Sequence, residues 1–460
     1  MTRTPDVVVL GGGSGGYACA IRTAQLGLTV TLVESDKVGG TCLHRGCIPT
    51  KALVQAGEVA ETIRDSARFG VLGTLDKIEI DRIHSYKDGV IGKLYKGLQG
   101  LVKHHGIEVV SGHGRYIGER TVEVEGERIT ANRAVVLATG SQPRPVPGLP
   151  IGGRVVNSDG ALELTEIPSR AVILGGGVIG VEFASVLASL GTEVTVVEAL
   201  PRLVAAEDEW TSKQLARAFR KRGITAETST KLVDAVQSGD TVTVGLDSGE
   251  KIETDLLLVA VGREARTTDC GFAESGIALE RGHVAVDERL RTNHDGVWAV
   301  GDIVAGLQLA HRGFQQGLYV ADQIAGRDPA RIDESGIPRV TYTSPEIASV
   351  GLTEAQAREK YATVTTTEYD LAGNGKSQIL GTTGAVKLIR AGEGSDDGPV
   401  VGVHMVGDRI SELVGEAQLI VNWNAYPEDV AALVHAHPTQ AEALGEAHLA
   451  LAGQPLHAHG

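Results

Sequence analysis

The chain has 460 residues, which is too long for one hydrophobic core and indicates about three domains. It carries 43 Lys and Arg against 58 Asp and Glu, a net charge of −15, so nucleic acid and anionic membranes are poor partners and a basic protein surface is the best-fitting one. With four cysteines and no apolar run approaching a membrane span, the sequence predicts a cytoplasmic protein without a structural disulfide framework.

Residues 6–34 predict a strand, a glycine turn, a helix and a second strand. DVVVL is an apolar run typical of a buried parallel strand, and Gly11, Gly13 and Gly16 follow it as GxGxxG. Such glycines allow a tight turn and a close backbone approach to a pyrophosphate, which lies at the N-terminus of the next helix. TVTLVE then ends at Glu34, whose carboxylate can accept ribose hydroxyls. The segment therefore predicts a dinucleotide site.

Two cysteines, Cys42 and Cys47, follow in ESDKVGGTCLHRGCIPTKAL, where Pro49 fits the first turn of a helix. A thiol at a helix N-terminus is stabilised as the thiolate. A bridge between the two would close a short loop and add little stability, so a redox use is more plausible than a structural one. They could also be buried apolar residues or half of a zinc site. The other cysteines, Cys19 and Cys270, are isolated, and we predict no metal site.

Residues 171–198 repeat the nucleotide pattern with Gly175, Gly177, Gly180 and Glu198. In both copies the acid lies 23 residues after the first glycine, and the copies are offset by 164 residues. One GxGxxG is a weak signal, but two with matching acids predict two bound dinucleotides. The first copy continues into the cysteines, and a flavin exchanges electrons with thiolates more readily than a nicotinamide does. We therefore assign FAD to the first site and NAD to the second, where Glu198 would repel the 2′-phosphate of NADP.

Near the C-terminus, HAHPTQAEALGEAHLAL contains a candidate base. Pro438 suits the first position of a helix, which predicts His437 at the N-cap and Glu442 one turn into the helix. A carboxylate on one imidazole nitrogen would fix the tautomer and leave the other nitrogen free as a base. His435 and His448 are competitors, and the spacing alone does not decide between the three.

The segment GGTCLHRGCIPTKAL resembles the active-site signature of the flavoprotein disulfide reductases, GGTCxxxGCIPxKxL. Within that family the chain is most similar to the dihydrolipoamide dehydrogenase branch, the E3 components of 2-oxoacid dehydrogenase complexes. The resemblance implies an α/β fold with two Rossmann-like dinucleotide-binding domains, for FAD and NAD, and a C-terminal α+β interface domain that forms a dimer. The implied parts are a FAD-binding domain at 1–146, an NAD-binding domain at 147–266, a central domain at 267–337 that completes the FAD-binding part, and the interface domain at 338–460.

Three further segments resemble family patterns. ATGS at 138–141 and TNHDGVWAVGD at 292–302 match two FAD-domain signatures, and the resemblance implies that Asp302 binds the ribityl chain of the flavin. LAHRGFQQG at 309–317 resembles the segment that lines the flavin ring, but Gln316 stands where the family commonly has Glu.

Lys51 lies one helical turn after Cys47, and the resemblance places it near the flavin, paired with Glu182. The implied cofactor-binding residues are Gly11, Gly13, Ser14, Gly16, Glu34, Gly40, Thr41, Lys51, Thr139, Gly140, Gly301, Asp302, Ala310 and His311 for FAD, Gly175, Gly177, Gly180, Glu198 and Gly262 for NAD, and Glu182 as the partner of Lys51.

The resemblance implies NAD-dependent oxidation of dihydrolipoamide, carried by the lipoyl domain of an acyltransferase E2 component. The implied catalytic residues are Cys42, which the substrate thiolate attacks, Cys47, which leaves as a thiolate, and the base pair His437 and Glu442, which acts from the other subunit of a homodimer. The acidic surface also permits docking on a basic subunit-binding domain. The alternative is an NAD(P)H-dependent reductase of another disulfide or of a quinone.

Overall fold

The computed structural model describes residues 4–393 and 397–457. Within these ranges, every helix is too short or too polar to span a bilayer.

The N-terminal part of the chain folds around parallel strands. Its elements are β1 (Val7–Leu10), α1 (Ser14–Gln25), β2 (Val30–Glu34), α2 (Gly40–Arg45), α3 (Cys47–Asp65), α4 (Ile80–His104), β3 (Glu108–Ser111), β4 (Gly114–Tyr116), β5 (Thr121–Val124), β6 (Glu127–Thr130), β7 (Ala134–Leu137) and β8 (Ser141–Pro143). Every residue of β1 and β7 is buried, as expected for central parallel strands covered on both faces. β1 pairs in parallel with β2 on one side and with β7 on the other, so the carboxyl ends of the three strands share one edge.

The next part repeats this arrangement. Its elements are β9 (Val155–Asn157), α5 (Ser158–Ala161), β10 (Arg170–Leu174), α6 (Val178–Leu190), β11 (Glu193–Glu198), α7 (Glu209–Lys221), β12 (Thr225–Thr228), β13 (Leu232–Ser238), β14 (Thr241–Leu246), β15 (Lys251–Thr254), β16 (Leu256–Val259) and β17 (Arg263–Ala265). The parallel sheet has the order β12-β11-β10-β16-β9, and the antiparallel sheet β13-β14-β15 packs on one of its faces. Helices α1 and α6 begin 164 residues apart, the offset that the sequence repeat predicts.

A short third part returns to the first sheet. Its elements are β18 (Leu279–Glu280), β19 (His283–Val284), β20 (Val297–Ala299) and α8 (Ala310–Ile324). β20 adds to the first sheet, whose order is β20-β7-β1-β2-β3, and a single 3₁₀ turn at Gly301–Ile303 follows it. This part therefore extends the edge of the first sheet at which the carboxyl ends of β1, β2 and β7 lie.

The C-terminal part is an antiparallel sheet covered by helices. Its elements are β21 (Arg339–Thr341), β22 (Glu346–Gly351), α9 (Glu354–Lys360), β23 (Thr363–Asp370), α10 (Gly375–Leu380), β24 (Ala385–Gly392), β25 (Val400–Gly407), α11 (Val414–Asn422), α12 (Pro427–Ala431) and α13 (Glu442–Leu451). The sheet order is β21-β22-β25-β24-β23, and α11 and α13 contribute apolar side chains to the same core as the sheet.

Buried ion pairs join this part to the second nucleotide-type part. Lys387 Nζ lies 2.9 Å from Asp208 Oδ1, and both side chains are buried. Arg339 Nε lies 3.0 Å from Glu207 Oε1. Because breaking a buried pair leaves an uncompensated charge, these contacts hold the two parts in one arrangement.

Candidate active site

The two glycine loops have the same backbone geometry. Gly11 and Gly175 have φ of +104° and +111°, the left-handed region that favours glycine. A Cβ on Gly16 would lie 1.8 Å from the Gly11 carbonyl oxygen, and a Cβ on Gly180 would lie 1.8 Å from the Gly175 carbonyl oxygen. Each helix therefore approaches its preceding strand as closely as only glycine allows.

Replacing Gly16 with Ala should remove most of the flavin that the first loop is predicted to hold, because the new Cβ cannot fit unless α1 moves away from β1. The measurement is the ratio of flavin to protein absorbance in the purified protein. Gly97→Ala is the matched control, since a Cβ on this α4 glycine would meet nothing within 4 Å. A Gly16→Ala protein with the wild-type flavin content would contradict this account of the loop.

Glu34 at the end of β2 and Glu198 at the end of β11 are each hydrogen-bonded to the glycine loop of the same nucleotide unit. Glu34 Oε2 accepts the Gly12 amide at 2.6 Å, and Glu198 Oε2 accepts the Gly176 amide at 2.6 Å. Oε1 of Glu198 also accepts the Leu200 amide at 2.7 Å. Both carboxylates are therefore fixed at strand ends, where a negative charge accepts ribose hydroxyls and repels a 2′-phosphate.

A cavity of about 370 Å³ opens at the carboxyl edge of the first sheet. The predicted residues that line it are Gly11, Gly13, Glu34, Gly40, Thr41, Thr139 and Gly140. Sequence reasoning missed Lys37, only three residues after Glu34, and wall residues that lie far along the chain, among them Gly112, His113, Arg266 and Cys270. Of these, Gly112 and His113 could have been found, because they follow β3 at the edge where parallel strands place their ligands.

The first loop fits a pyrophosphate. A Cβ on Gly13 would meet nothing within 4 Å, so this position leaves open space in front of the first amides of α1. Gly40 packs against the loop, since its Cβ would lie 2.6 Å from the Gly13 Cα. Lys37 and Arg266 add positive charge to the same cavity. Gly177 is equally open in the second loop.

Cys42 and Cys47 lie on two helices separated by Gly46. Cys42 belongs to the six-residue α2, and Cys47 is the first residue of α3, with Pro49 in the first turn as predicted. Both cysteines are free thiols and only half-buried. A hydrogen bond from the Ser14 hydroxyl reaches Cys42, so this predicted cofactor residue also contacts the dithiol.

The reduced pair shares one hydrogen bond that sets its charge. The Cys42 thiol donates to the Cys47 sulfur, and this bond and the charge of Lys51 lower the pKa of Cys47 to about 7, although burial opposes the shift. The same bond, together with burial, raises the pKa of Cys42. The thiolate of the pair is therefore Cys47, and it is present above about pH 7 and lost as the pH falls below that value.

In the reduced protein freed of any bound cofactor, one thiolate should titrate near pH 7, followed by its ultraviolet absorbance. Lys51→Met should raise this midpoint by about 1 pH unit, because an opposite charge next to a thiolate favours the charged form. Lys93→Met, an exposed lysine on α4, should leave it unchanged. Cys19 does not interfere, since burial raises its pKa to about 12. A midpoint that is the same in Lys51→Met as in the wild type would contradict the assignment of the thiolate to Cys47.

Lys51 and Glu182 form a partly buried junction between three segments. Lys51 Nζ lies 2.9 and 2.7 Å from the two carboxylate oxygens of Glu182, which joins α3 to α6. Glu182 Oε1 also accepts the Tyr342 amide at 2.9 Å, and Lys51 lies over the Tyr342 ring, 4.7 Å from its centroid. Burial opposes the charge of Lys51, but Glu182 outweighs it and raises the pKa of the lysine. The sequence pattern gave no sign of the contact from Tyr342.

Gly301 and Asp302 are held by side chains from three other segments. The Ser141 hydroxyl donates to Asp302 Oδ2, and Arg263 Nε donates to the Ser141 hydroxyl at 2.8 Å. The Gly301 amide donates to Gln316 Oε1 at 2.7 Å. The turn that carries Asp302 is therefore fixed from both sides.

The remaining predicted residues lie around these groups. Ala310 and His311 form the first turn of α8, and His311 Nε2 lies 2.8 Å from the Pro338 carbonyl oxygen, at the start of the C-terminal part. Gly262 has φ of +106°, and its carbonyl accepts the Arg144 amide at 3.0 Å.

His437 and Glu442 form the predicted pair. His437 Nδ1 lies 2.8 Å from Glu442 Oε1, and Glu442 Oε2 accepts the Thr439 amide at 2.7 Å. Burial opposes ionisation of Glu442, but the Thr439 amide and His437 outweigh it and lower the pKa of the carboxyl. The His437 side chain is 77% exposed, so the dyad faces away from its own chain.

The backbone around this dyad differs from the prediction. Helix α13 begins at Glu442, so Pro438 is not its first residue and His437 is not its N-cap. The Thr439 hydroxyl donates to the Ala436 carbonyl at 2.7 Å, and the Thr439 amide is bound by Glu442. These bonds fix the backbone of residues 438–441 before the helix begins. The preference of proline for first helical positions takes no account of such bonds, so the predicted helix start was wrong.

Geometry separates His437 from its competitors. His448 is fully buried, and burial lowers its pKa to about 4. His435 is 13% exposed, and its Nε2 lies 2.8 Å from Glu416 Oε1. Among the three, only His437 is open to another molecule. Within 4–393 and 397–457, no cluster of His, Cys, Asp and Glu could hold a metal ion.

Comparison with known families identifies the two halves of this architecture. The family model for pyridine nucleotide-disulphide oxidoreductases matches residues 5–317, and the model for the dimerisation domain of the same family matches residues 337–448. The chain belongs to the pyridine nucleotide-disulphide oxidoreductases. The predicted family and fold class are thereby confirmed.

Curated members of the family align with the whole chain. A dihydrolipoyl dehydrogenase of Bacillus subtilis (strain 168) is 38% identical over 483 residues, covering 99% of this chain and 100% of the relative. A dihydrolipoyl dehydrogenase of Thermus scotoductus is 38% identical over 462 residues, covering 99% of each.

Solved structures of the family superpose closely. LpdA from Mycobacterium tuberculosis has a TM-score of 0.89 at 25% identity, covering 98% of this chain and 100% of that one. The HOCl-induced flavoprotein disulfide reductase RclA from Escherichia coli has a TM-score of 0.85 at 26% identity, covering 96% and 99%.

Membership of the pyridine nucleotide-disulphide oxidoreductases confirms the predicted cofactors. The chain is a flavoprotein oxidoreductase that uses FAD and NAD(H). The dimerisation domain at 337–448 confirms the predicted homodimer.

Proposed function

We propose that this oxidoreductase oxidises dihydrolipoamide to lipoamide and reduces NAD⁺ to NADH through the Cys42–Cys47 pair. The observation that carries the proposal is the exposed His437–Glu442 dyad in the dimerisation domain. The nucleotide sites and the dithiol suit any member of the family, whereas this dyad suits a substrate thiol that must lose a proton. The curated relatives support the same activity over the alternative, a reductase of another disulfide or of a quinone.

The substrate half of the reaction needs a base. A free thiol has a pKa near 8.5, so at neutral pH only a few per cent is thiolate. His437, oriented by Glu442 at 2.8 Å, takes the proton of the first substrate thiol at Nε2. Because the dyad faces away from its own chain and lies in the dimerisation domain, the dimer would present it to the dithiol of the other subunit.

The charge of the Cys42–Cys47 pair determines how the two cysteines react with the substrate. The substrate thiolate attacks the Cys42 sulfur of the oxidised enzyme, the Cys42–Cys47 bond breaks, and Cys47 leaves as a thiolate. A leaving thiol with a lower pKa leaves faster, and Cys47 is the member with the lowered pKa. The second substrate thiol then attacks the substrate sulfur bound to Cys42, the bond between that sulfur and Cys42 breaks, and the proton of the attacking thiol passes to the released Cys42 sulfur, whose pKa is raised. Lipoamide leaves as a disulfide, and both cysteines are reduced.

The two nucleotide sites complete the reaction. FAD would be held by the first glycine loop, Glu34, Lys51 and Asp302, and NAD by the second loop and Glu198. Bound there, the cofactors supply the electron-accepting chemistry that side chains lack, FAD towards the dithiol and NAD towards the flavin. Lys51 would place a positive charge beside the ring, where reduction adds negative charge.

The second site favours NAD over NADP. Both oxygens of Glu198 are held by backbone amides, so the carboxylate stays at the strand end. Arg202 is the nearest cation after it, but its guanidinium donates to the carbonyls of Ala205 and Glu207 at 2.6 and 3.2 Å. A 2′-phosphate would therefore meet a fixed negative charge at Glu198, while Arg202 is already bonded to backbone carbonyls.

The physiological substrate would be a lipoyl domain of an acyltransferase E2 component. The net charge of −15 suits docking on a basic subunit-binding domain. We also propose the cytoplasm as the compartment, since four cysteines in 460 residues provide a redox pair and no disulfide framework.

Steady-state turnover of the purified flavoprotein tests the proposal. Dihydrolipoamide with NAD⁺ should produce NADH without any partner protein, and NADP⁺ should be slower by about tenfold or more. Absence of NADH formation, together with rapid NADH-driven reduction of a quinone or another disulfide, would favour the alternative.

A further inference from the structure

Cys42 and Cys47 are held by helices of very different length. Cys47 begins the 19-residue α3, which the ion pair between Lys51 and Glu182 joins to α6. Cys42 lies on α2, which has only six residues. A helix of fewer than two turns is not stable by itself, so contacts from its side chains must fix where it lies. The position of the Cys42 sulfur relative to Cys47 therefore depends on what α2 contacts.

His44, which lies between the two cysteines, connects α2 to two other segments. Its Nε2 lies 3.0 Å from the Val38 carbonyl oxygen, and because a carbonyl only accepts, Nε2 carries the hydrogen. The same ring meets the Tyr95 ring of α4 edge-on, with centroids 4.9 Å apart and planes at 83°, an arrangement that aromatic pairs prefer. Gly39 lies beside the imidazole, since a Cβ there would be 3.1 Å from Nε2. One side chain therefore joins α2 to the preceding loop and to a separate helix.

Arg45 adds a weaker contact between α2 and the same loop. Its guanidinium donates to Asp36 Oδ2 at 2.5 Å, but both side chains are nearly half exposed, so water screens this pair and its contribution is small. The loop is itself bonded to the first glycine loop, since the Gly39 amide donates to the Gly12 carbonyl at 2.8 Å. We therefore assign the placement of α2 on this framework mainly to His44.

The proposed reaction opens and closes the Cys42–Cys47 bond in every turnover. Two electrons from the substrate break the bond, and the cofactors take the same two electrons away when it forms again. How readily the bond forms depends on the effective concentration of one sulfur at the other, which is high only when both are held in a reactive geometry. The long α3 holds one of the two sulfurs, and the contacts of His44 hold the other through α2.

We propose that His44 is a positioning residue of the dithiol, which holds Cys42 against Cys47 through α2 and thereby stabilises the disulfide relative to the two thiols. The inference rests on the proposed function, in which the pair alternates between these states. Without the bond to Val38 and the contact with Tyr95, α2 would move more freely. The effective concentration of the sulfurs would fall, and the disulfide would be reduced more easily and would form again less readily.

Two variants of His44 test the proposal, and a third variant is the matched control. His44→Leu removes the hydrogen bond and the ring, whereas His44→Gln supplies an amide donor of similar reach. His84→Leu is the control, since His84 Nε2 also lies 2.7 Å from a backbone carbonyl oxygen, that of Leu164, but three turns before Tyr95 on α4.

The measurement is the fraction of Cys42–Cys47 disulfide in the purified flavoprotein, equilibrated with mixtures of dihydrolipoamide and lipoamide and read by alkylation and mass spectrometry. It is made at about pH 6, below the pKa of Cys47, so that little thiolate contributes to the equilibrium in any variant.

The variants should differ in this equilibrium. His44→Leu should shift it towards the two thiols by about tenfold, which is about 30 mV for a two-electron couple. His44→Gln should recover part of the shift. His84→Leu should keep the wild-type equilibrium even where its melting temperature falls, so a general loss of stability does not imitate the effect. An unchanged equilibrium in His44→Leu, or an equal shift in His84→Leu, would overturn the proposal.

The bond between the two cysteines provides a second readout. The hydrogen bond from Cys42 is the largest cause of the lowered pKa of Cys47, so a displaced Cys42 should raise the midpoint of the thiolate titration in His44→Leu. The midpoint should be that of the wild type in His84→Leu. A wild-type midpoint in His44→Leu would show that Cys42 has not moved and would also count against the role of His44.

Should His44→Leu fail to fold, Tyr95→Leu removes the ring contact from α4 and leaves the segment between the cysteines unchanged. It should shift the equilibrium in the same direction, and an unshifted equilibrium there would refute the role of this contact. A wild-type protein whose Cys42–Cys47 pair dihydrolipoamide does not reduce would refute the proposed function itself. A wild-type protein that is reduced, with a His44→Leu variant of the same equilibrium, would refute only the role of His44.

Discussion

Replacing His437 with Gln should lower dihydrolipoamide turnover by about 10²–10⁴-fold, the range expected for loss of a positioned base. FAD content and the melting temperature should stay near wild type, because the His437 side chain is 77% exposed. His457→Gln is a matched control, since this histidine is 65% exposed and its Nδ1 lies 2.8 Å from Glu446 Oε1 in the same part of the fold. Near-normal turnover of His437→Gln would refute the base assignment.

The same variant tests whether the base acts across the dimer. Cys42→Ser and His437→Gln should each be inactive alone, but a mixed dimer of the two contains one site with an intact dithiol and an intact dyad. Co-expression with two different affinity tags would isolate that mixed dimer. Activity in the mixed dimer supports a base from the other subunit, and an inactive mixed dimer with full FAD content contradicts it.

Replacing either Cys42 or Cys47 with Ser should abolish dihydrolipoamide turnover while FAD is retained, since no disulfide remains for the substrate to attack. We expect this to be the largest effect of any single substitution outside the glycine loops. Cys19→Ala is the control, because this cysteine is buried in α1 and burial raises its pKa to about 12. Residual turnover above that of free flavin in either serine variant would contradict the dithiol mechanism.

The two cysteine variants should differ in their spectra. The lowered pKa of Cys47 makes it the thiolate of the reduced pair, so Cys42→Ser should keep the long-wavelength absorption that a thiolate beside an oxidised flavin produces. Cys47→Ser should lose it. If the band survives in Cys47→Ser, the roles of the two cysteines are exchanged.

The sequence was most informative where function depends on residues close together in the chain. Gly11 and Glu34 lie within one strand-helix-strand unit, so their spacing alone predicted the glycine loop and an acid at the end of β2. The hydrogen bond between that acid and the Gly12 amide was not predicted. The second copy behaves identically, with Glu198 bound to the Gly176 amide at 2.6 Å. The pairing of His437 with Glu442, five residues apart, was also predicted correctly.

Local rules failed where tertiary or side-chain contacts decide the backbone. Pro438 predicted a helix start, but Thr439 and Glu442 hold a turn there and α13 begins four residues later. The preference of proline for the first helical position describes helix ends in isolation. It does not include a contact such as the one here, in which the Glu442 carboxylate accepts the Thr439 amide outside the helix.

Contacts between distant segments had no signal in the pattern. The Tyr342 amide reaches Glu182 from 160 residues away, and Arg266 and Cys270 reach the cavity at the first glycine loop although the second nucleotide unit lies between them and that loop in the sequence. The Lys51–Glu182 pair was expected only because the family resemblance implied it. Gln316 was visible as a departure from the family pattern, but its bond to Gly301 depends on the packing of α8 against the first sheet and could not be derived.

The most direct test of the central claim is anaerobic titration of the purified flavoprotein with dihydrolipoamide, followed by NAD⁺, with mass-spectrometric mapping of the alkylated cysteines at each stage. The oxidised protein should contain a Cys42–Cys47 disulfide, dihydrolipoamide should convert both residues to alkylatable thiols, and NAD⁺ should restore the disulfide with formation of NADH. Cysteines 42 and 47 that remain unchanged while the flavin is reduced by dihydrolipoamide would contradict the account.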